Sequence, residues 1–255
     1  MKNYGLGGKV ALVTGAGRGM GRAIAEGFAQ QGAKVIVAEV DTASGQEVEA
    51  AIRQAGGDAR FVHCDVSNAA SVDALMAATL ETYGRLDCAC NNAAIDKEAS
   101  LFADVSDEMA DMLYGVNFRG VFLCMKRQIK QMLTQGGGTI VNITSISAQR
   151  PHLTGSVYSG TKAGVVAMTK GAAMTYGDKG VRINMVAPGG IDTPMLAENV
   201  ARVGLDSRAL AKMLSVNGRL GTPEEIAEAV LWLSSDLSTF CFGHVLAVDG
   251  GYLSR

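Results

Sequence analysis

Short runs of β-branched and aliphatic residues alternate with longer segments of helical periodicity along almost the whole chain. The candidate strands are Val10–Val13, Lys34–Ala38, Ala59–His63, Leu86–Cys90, Gly138–Ser145, Val181–Val186 and His244–Val248. Several are apolar at consecutive positions, as strands covered by helices on both faces must be. Between them the pattern predicts helices near 19–31, 42–55, 68–83, 105–134, 157–177 and 223–235. Gly32, Gly56 and Gly84 stand where helices should stop and the chain must turn through positive φ. Thr222-Pro223-Glu224-Glu225 places a cap residue, a proline at the first helical position and a glutamate three residues after the cap, which marks a helix start. Alternation of this length predicts an α/β fold: a doubly wound, seven-stranded parallel sheet with helices on both faces. No linker, repeat or low-complexity stretch divides residues 1–255, so a single domain is expected. Only residues 190–221 break the rhythm, as an insertion of the kind that forms binding loops and lids.

Composition narrows the classes of function. With 255 residues, 48% of them hydrophobic, a sizeable core is expected. A net charge of −2 without a basic tract argues against a nucleic-acid partner. The N-terminal MKNYGLGGKV lacks the apolar core of a signal peptide, and no apolar run is long enough to span a bilayer. The expectation is a cytoplasmic protein with no membrane partner. The five cysteines (Cys64, Cys88, Cys90, Cys124, Cys241) are odd in number and scattered. Cys88 and Cys90 alternate along a strand and so face the same way, but no second pair completes a zinc site. Buried, reduced thiols are expected. His63, His152 and His244 show no ligand spacing, so no metal is expected.

The first strand runs into Thr14-Gly15-Ala16-Gly17-Arg18-Gly19-Met20-Gly21, followed by a helical stretch. Met20 and Arg22 occupy the third-glycine positions of a strict G-x-G-x-x-G, so the pattern is instead Gly15-x-x-x-Gly19-x-Gly21. Its physical logic is the same: positions without side chains let the backbone approach a pyrophosphate that rests on a helix N-terminus. Glu39 ends the second strand twenty residues after Gly19, where a carboxylate can accept hydrogen bonds from an adenosine ribose. A tight turn and a solvated strand end would explain each feature alone. Together, between strand one and helix one, they predict dinucleotide binding and a Rossmann-type sheet.

With these residues in view, the sequence resembles the short-chain dehydrogenase/reductase family over essentially its whole length. The family's glycine motif matches Thr14, Gly15, Gly19 and Gly21, and its acidic residue after strand three matches Asp65 in HCDVSN. Its Asn-Asn-Ala-Gly motif is similar to Asn91–Ala94, with Ala94 in place of glycine, a methyl that narrows the space beside the cofactor. Its helix-four asparagine matches Asn117, its serine Ser145, and its Tyr-x-x-x-Lys matches Tyr158 and Lys162, thirteen residues after the serine. APGGIDTPM carries the Pro-Gly motif. The resemblance implies catalysis by Asn117, Ser145, Tyr158 and Lys162. It implies cofactor contacts from Gly15, Arg18, Gly19, Met20, Gly21, Glu39, Asp65, Val66, Asn92, Ala93, Tyr158, Lys162, Pro188, Gly189, Ile191 and Thr193.

Tyr158 and Lys162, four residues apart on a helix, share one face about a turn from each other. A phenol has a pKa near 10, and a close ammonium favours its ionised form by about one to three units. Such a tyrosine can take the proton of an alcohol as hydride leaves the carbon, or return it to a ketone. Taken alone, the pair would be an ordinary exposed helix contact. Gly160 between them, where the family more often has alanine, costs about 1 kcal/mol in a helix interior and suggests a close approach by another backbone or the cofactor. The resemblance further implies that Lys162 holds the nicotinamide ribose, Ser145 the substrate oxygen, and Asn117 a proton-relaying water.

The expected pocket wall comprises Ile95, the segment Ser147–Leu153, and Met195, Leu196, Met213 and Leu214 of the insertion. It suits a hydrophobic secondary alcohol or ketone, including a ring compound, and packing of the insertion onto the domain is the duller account of the same residues. NNAAI and FLCMK resemble members that oxidise cyclic alcohols and diols. A 3-oxoacyl-acyl-carrier-protein reductase is the rival enzyme, with Arg119, Lys126, Arg127 and Lys130 as its carrier surface. A non-catalytic dinucleotide-binding scaffold would not need the Ser145, Tyr158 and Lys162 set. The cofactor expected is NAD, because Glu39 would repel a 2′-phosphate. Arg18 keeps NADP as the alternative. The family commonly assembles through the helices at 105–134 and 157–177, which implies a homotetramer.

Overall fold

The computed structural model describes residues 3–152, 154–203 and 207–255. Its seven strands are β1 (Val10–Thr14), β2 (Lys34–Glu39), β3 (Asp58–His63), β4 (Cys88–Asn91), β5 (Gly138–Ile143), β6 (Val181–Pro188) and β7 (Val245–Val248). They form one sheet in the order β3-β2-β1-β4-β5-β6-β7, and every pairing is parallel. Side chains alternate between two cores, as the pleat requires. Ala11, Val13, Val35, Val37, Cys88, Cys90 and Val141 face one layer, and Leu12, Ile36, Ala38, Ala89 and Ile140 the other.

The first layer is covered by α1 (Gly19–Gln30), α2 (Thr42–Gln54) and α9 (Pro223–Ser234), whose Phe28, Val48 and Val230 are fully buried. The second is covered by α3 (Ala69–Tyr83), α5 (Val121–Thr134) and α6 (Ser156–Tyr176). Helix ends follow sequence chemistry. Asp41, Asn68 and Thr222 cap α2, α3 and α9 through their side chains. Thr222 and Glu225 form a reciprocal capping box, and Gly84 ends α3 at φ 76°.

Three elements differ from their sequence-based expectations. The single helix over 105–134 is α4 (Asp107–Tyr114), a π-helical turn (Gly115–Gly120) and α5, with Asn117 in the π turn. The strand expected to reach Ser145 leaves the ladder after Ile143, and Ser145 instead caps a short 3-10 turn with its hydroxyl on the Ser147 N–H. Residues 190–221 hold two helices, α7 (Pro194–Val203) and α8 (Ser207–Leu214), where a loop was expected. Because β1 leads outward to β2 and β3 while β4 returns on its other side, a crevice opens at the C-terminal ends of β1 and β4. Open α/β sheets place their ligands there.

Candidate active site

The glycine loop is packed too tightly for side chains at two of its positions. A Cβ on Gly15 would lie 2.7 Å from the Ala93 Cα, and one on Gly21 would collide with the Gly15 carbonyl. Gly15 and Gly19 also take φ of 63° and 54°, which favours glycine. The NNAA segment clamps this loop. Asn92 donates from Nδ2 to the carbonyls of Thr14 and Gly15, while the N–H groups of Asn92 and Ala93 donate to the Thr14 hydroxyl. The start of α1 has no capping side chain and no acidic residue in its first turn, so its N–H groups remain open to an anion. These features fit a pyrophosphate cradle.

Glu39 closes the loop from β2. Its Oε2 accepts from the Gly17 N–H at 2.9 Å, and its Oε1 accepts from the N–H groups of Val40 (2.8 Å) and Asp41 (3.3 Å). Gly17 did not stand out in the sequence, yet a Cβ there would lie 2.9 Å from the Glu39 Cγ. Arg18, the residue that keeps NADP as the alternative, pairs with Glu198 of α7 at 3.2 Å. Asp65 accepts from both the N–H and the hydroxyl of Ser67 through one oxygen, and Val66 is buried beside it against Gly120.

Ser145 and Tyr158 come together across the end of β5. The Ser145 side chain lies near enough to the Tyr158 phenol to favour its ionised form, and the Lys162 Nζ lies 5.7 Å from the centre of the tyrosine ring. Lys162 is almost fully buried and donates to the Ile143 carbonyl at 3.0 Å. Burial lowers its pKa to about 8, opposed by the charge of Asp96. The tyrosine departs from expectation. Burial first, then Asp96, push its phenol well above 10, while the Ser145 side chain works the other way. A buried phenolate beside a carboxylate is costly, and the ammonium one helical turn away is directed at a carbonyl.

Asn117 is fully buried, and its side chain is spent on Ile95: Oδ1 accepts from the Ile95 N–H at 2.9 Å and Nδ2 donates to the Ile95 carbonyl at 2.8 Å. A relay contact from this residue would therefore have to come from its backbone, which the π turn releases from regular α-helical pairing. Ile95, held in this way, does not line the substrate cavity as expected. At Gly160 a Cβ would meet nothing within 4 Å, so no other backbone approaches the helix there. The close approach on α6 is at Gly164, which faces the Phe118 ring.

Ser145 and Tyr158 open on a cavity of about 880 Å³. It is bordered by Met20, Pro188, Gly189, Ile191 and Thr193, of the residues expected to meet the cofactor, and by Ser147, Met195, Leu196, Met213 and Leu214, of those expected to meet the substrate. Leu153 lies outside the described residues. Thr193 caps α7 through its hydroxyl, and Gly189 packs against the Asp249 backbone. Arg150 and His152 of the expected segment Ser147–Leu153 also line the cavity, but sequence reasoning missed the rest of its polar wall, which includes Asp96, Glu98 and Asn199. Asn199 donates to Asp96 at 2.9 Å, and Glu98 is buried against the start of α6. Their only sequence signal was an acidic pair directly after NNAAI, which reads as a solvated loop. Among the described residues no group of three or more His, Cys, Asp or Glu could hold a metal ion. All five cysteines are free, four of them buried.

A family model described as enoyl-(acyl carrier protein) reductase matches residues 15–253. A short chain dehydrogenase/reductase, astE, of Aspergillus oryzae is 41% identical over 252 residues, covering 98% of this chain and 97% of that one. The cis-4-hydroxycyclohexanecarboxylate dehydrogenase of Sinomonas cyclohexanicum is 39% identical over 244 residues, covering 96% of each. Among solved structures, levodione reductase superimposes with a TM-score of 0.93 at 34% identity, covering 97% of this chain and 98% of that one. A 3-ketoacyl-(acyl-carrier-protein) reductase from Brucella melitensis complexed with NADH gives 0.89 at 34% identity, covering 97% and 99%. The chain belongs to the short-chain dehydrogenase/reductase family. It is an oxidoreductase of the type that moves a hydride between a nicotinamide cofactor and an alcohol or ketone.

Proposed function

We propose that this enzyme interconverts a hydrophobic, cyclic secondary alcohol and its ketone with NAD as cofactor. The observation that carries the reading is the convergence of the Ser145 and Tyr158 hydroxyls on a cavity walled by Met195, Leu196, Met213 and Leu214. Two relatives in the comparison are named for ring substrates, which agrees with such a wall.

The cofactor, when bound, accepts hydride from the alcohol carbon or returns it to the ketone, and its oxidised ring is positively charged. Gly15, Gly19 and Gly21 let the backbone meet its pyrophosphate at the start of α1, while Asp65, Val66, Asn92 and Ala93 border the adenosine and ribose side. Pro188, Gly189, Ile191 and Thr193 border the nicotinamide side. Ser145 donates to the substrate oxygen, and Tyr158 takes the alcohol proton or returns it. General acid–base catalysis of this kind contributes roughly 10²–10⁴-fold. Because burial and Asp96 raise the phenol, its ionisation depends on positive charge nearby, and Lys162 supplies a share of it while protonated. Lys162 also holds the nicotinamide ribose, and the backbone of Asn117 anchors the proton-relaying water. Glu39 accepts the adenosine ribose hydroxyls, and Arg18, turned toward Glu198, is less free to meet a 2′-phosphate.

The carrier-protein alternative is disfavoured by the basic residues it would use. Arg127 is committed to Asp73 and to the Ala69 carbonyl, Arg119 to the Ser67 carbonyl, and Lys126 lies over the Phe122 ring. The outer faces of α4, α5 and α6 expose Met112, Phe122, Leu133 and Met174, the last 87% accessible, which supports assembly into a homotetramer through these helices. Light scattering should give about four times the 26.5 kDa chain mass, and a monomer at micromolar concentration would refute the tetramer. No described helix is long and apolar enough to cross a membrane, and the free thiols are in keeping with a cytoplasmic location. The functional reading is tested by assaying a panel of cyclic and linear alcohols and ketones through nicotinamide absorbance with both cofactors. Ring alcohols with NAD should give the highest kcat/KM. Turnover confined to acyl-carrier thioesters would overturn the reading.

A further inference from the structure

Tyr158 stands in the first turn of α6, where backbone N–H groups have no partner within the helix. The residue before the helix is Gly155, at φ 93°, which has no side chain to cap them. The cap comes from another element, sixty residues away in sequence. Glu98, in the segment between β4 and α4, accepts from the Tyr158 N–H at 2.9 Å through Oε2 and from the Val157 N–H at 3.2 Å through Oε1. Its side chain is nine-tenths buried at the cavity wall, an expensive place for a carboxylate that served no purpose. The Tyr158 peptide is also fixed at its other end, where the Thr161 hydroxyl donates to the Tyr158 carbonyl at 2.6 Å.

We propose that Glu98 is a positioning residue for catalysis: it fixes the main chain of Tyr158, and so sets where the phenol meets Ser145 and the substrate oxygen. The proposal rests on the assignment of proton transfer to Tyr158. It concerns acceptor geometry, because both contacts of Glu98 are to backbone N–H groups. Its negative pole at a helix N-terminus adds a favourable dipole interaction. A displacement of about 1 Å at a reacting group can cost on the order of 10²-fold in rate.

The experiment compares Glu98→Met, which keeps volume but removes both acceptors, with Glu98→Gln, which keeps one. Glu98→Met should lower kcat by about 10–100-fold while the dissociation constant for NADH stays within about twofold. Glu98→Gln should recover to within about fivefold of the parent. In a double-mutant cycle, Glu98→Met combined with Tyr158→Phe should be no slower than Tyr158→Phe alone, because displacing an absent hydroxyl costs nothing further. A Glu98→Met enzyme within about threefold of the parent, a Glu98→Gln enzyme as slow as Glu98→Met, or fully multiplicative losses in the cycle would overturn the proposal. If Glu98→Met does not fold, Glu98→Asp replaces it. One methylene shorter, it cannot span both N–H groups and should be slowed several-fold, and a parent-like rate would refute the proposal equally. A fast Tyr158→Phe enzyme would instead overturn the assignment on which the proposal rests.

Discussion

Replacing Glu39 by alanine should turn the cofactor preference toward NADP by a calculable amount. In the intact protein the Glu39 carboxylate lies over the glycine loop, fixed by the N–H groups of Gly17, Val40 and Asp41. Consider a 2′-phosphate on the adenosine ribose standing about 5 Å from this carboxylate. At that separation, with an effective dielectric between the protein-surface value and that of water, each unit charge product costs about 1–2 kcal/mol. A phosphate monoester carries about 1.5–2 charges, so the carboxylate disfavours NADP by about 2–3 kcal/mol, or roughly 30–150-fold. Alanine removes that repulsion and the acceptor for the 2′-hydroxyl together. It also leaves three N–H groups facing the phosphate, at a partly exposed position where water can otherwise satisfy them. The assay is the ratio of kcat/KM for NAD to that for NADP, in parent and variant, at one ionic strength because added salt screens the effect. The ratio should exceed ten in the parent and fall by about 30–150-fold in Glu39→Ala. A parent that prefers NADP, or a variant whose ratio moves less than about threefold, would show that Arg18 decides instead.

Lys162, lowered by burial to about 8, is an ammonium below that pH and loses its charge above it. NADH affinity should therefore weaken about tenfold between pH 7 and pH 9, and Lys162→Met should bind weakly with no such slope. Titration of cofactor fluorescence checks this, and a flat parent profile would contradict it. Next to the site, Asn142 donates to the Thr169 hydroxyl and accepts from Asn91, which is also paired with Gln128, and all four residues are buried. Asn142→Leu should cost about 3 kcal/mol, because it removes the buried hydrogen bonds to Thr169 and Asn91, leaving Thr169 only its bond to the Val165 carbonyl and Asn91 only its pairing with Gln128. In thermal unfolding that is a fall in Tm of about 6–12 °C, and an unchanged Tm would refute the network's role.

What could be read from the sequence divides by physical range. The strands were legible because apolar runs such as Val10–Val13 and Val181–Val186 are buried on both faces, a local property of composition. Helix boundaries followed from caps such as Thr222 and stops such as Gly84, which are also local. The helix α7 was missed although Thr193 caps it and Pro194 begins it, because ten residues after a glycine-rich turn read as irregular. The π turn around Asn117 has no composition of its own and depends on packing against α6. Tyr158, Lys162, Ser145 and Asn117 were singled out through spacing and family resemblance. Asp96 and Glu98 were not, because each acts on residues at least fifty positions away and a charged loop residue otherwise reads as solvated. The direction of the Tyr158 shift was misjudged for a related reason. Helical spacing reveals the neighbouring lysine, whereas burial and the Asp96 charge emerge only when the loop after β4 folds against α6.

The central claim is that Tyr158 carries the proton while hydride passes between substrate and nicotinamide. The most direct test is the turnover of Tyr158→Phe on the best ring alcohol, with NADH binding measured on the same preparation. The ring is kept and only the hydroxyl is lost, so binding should stay within about threefold of the parent while kcat falls at least a hundredfold, the minimum expected of a positioned acid–base group. A variant that binds NADH normally and keeps more than about a tenth of the parent rate would contradict the account.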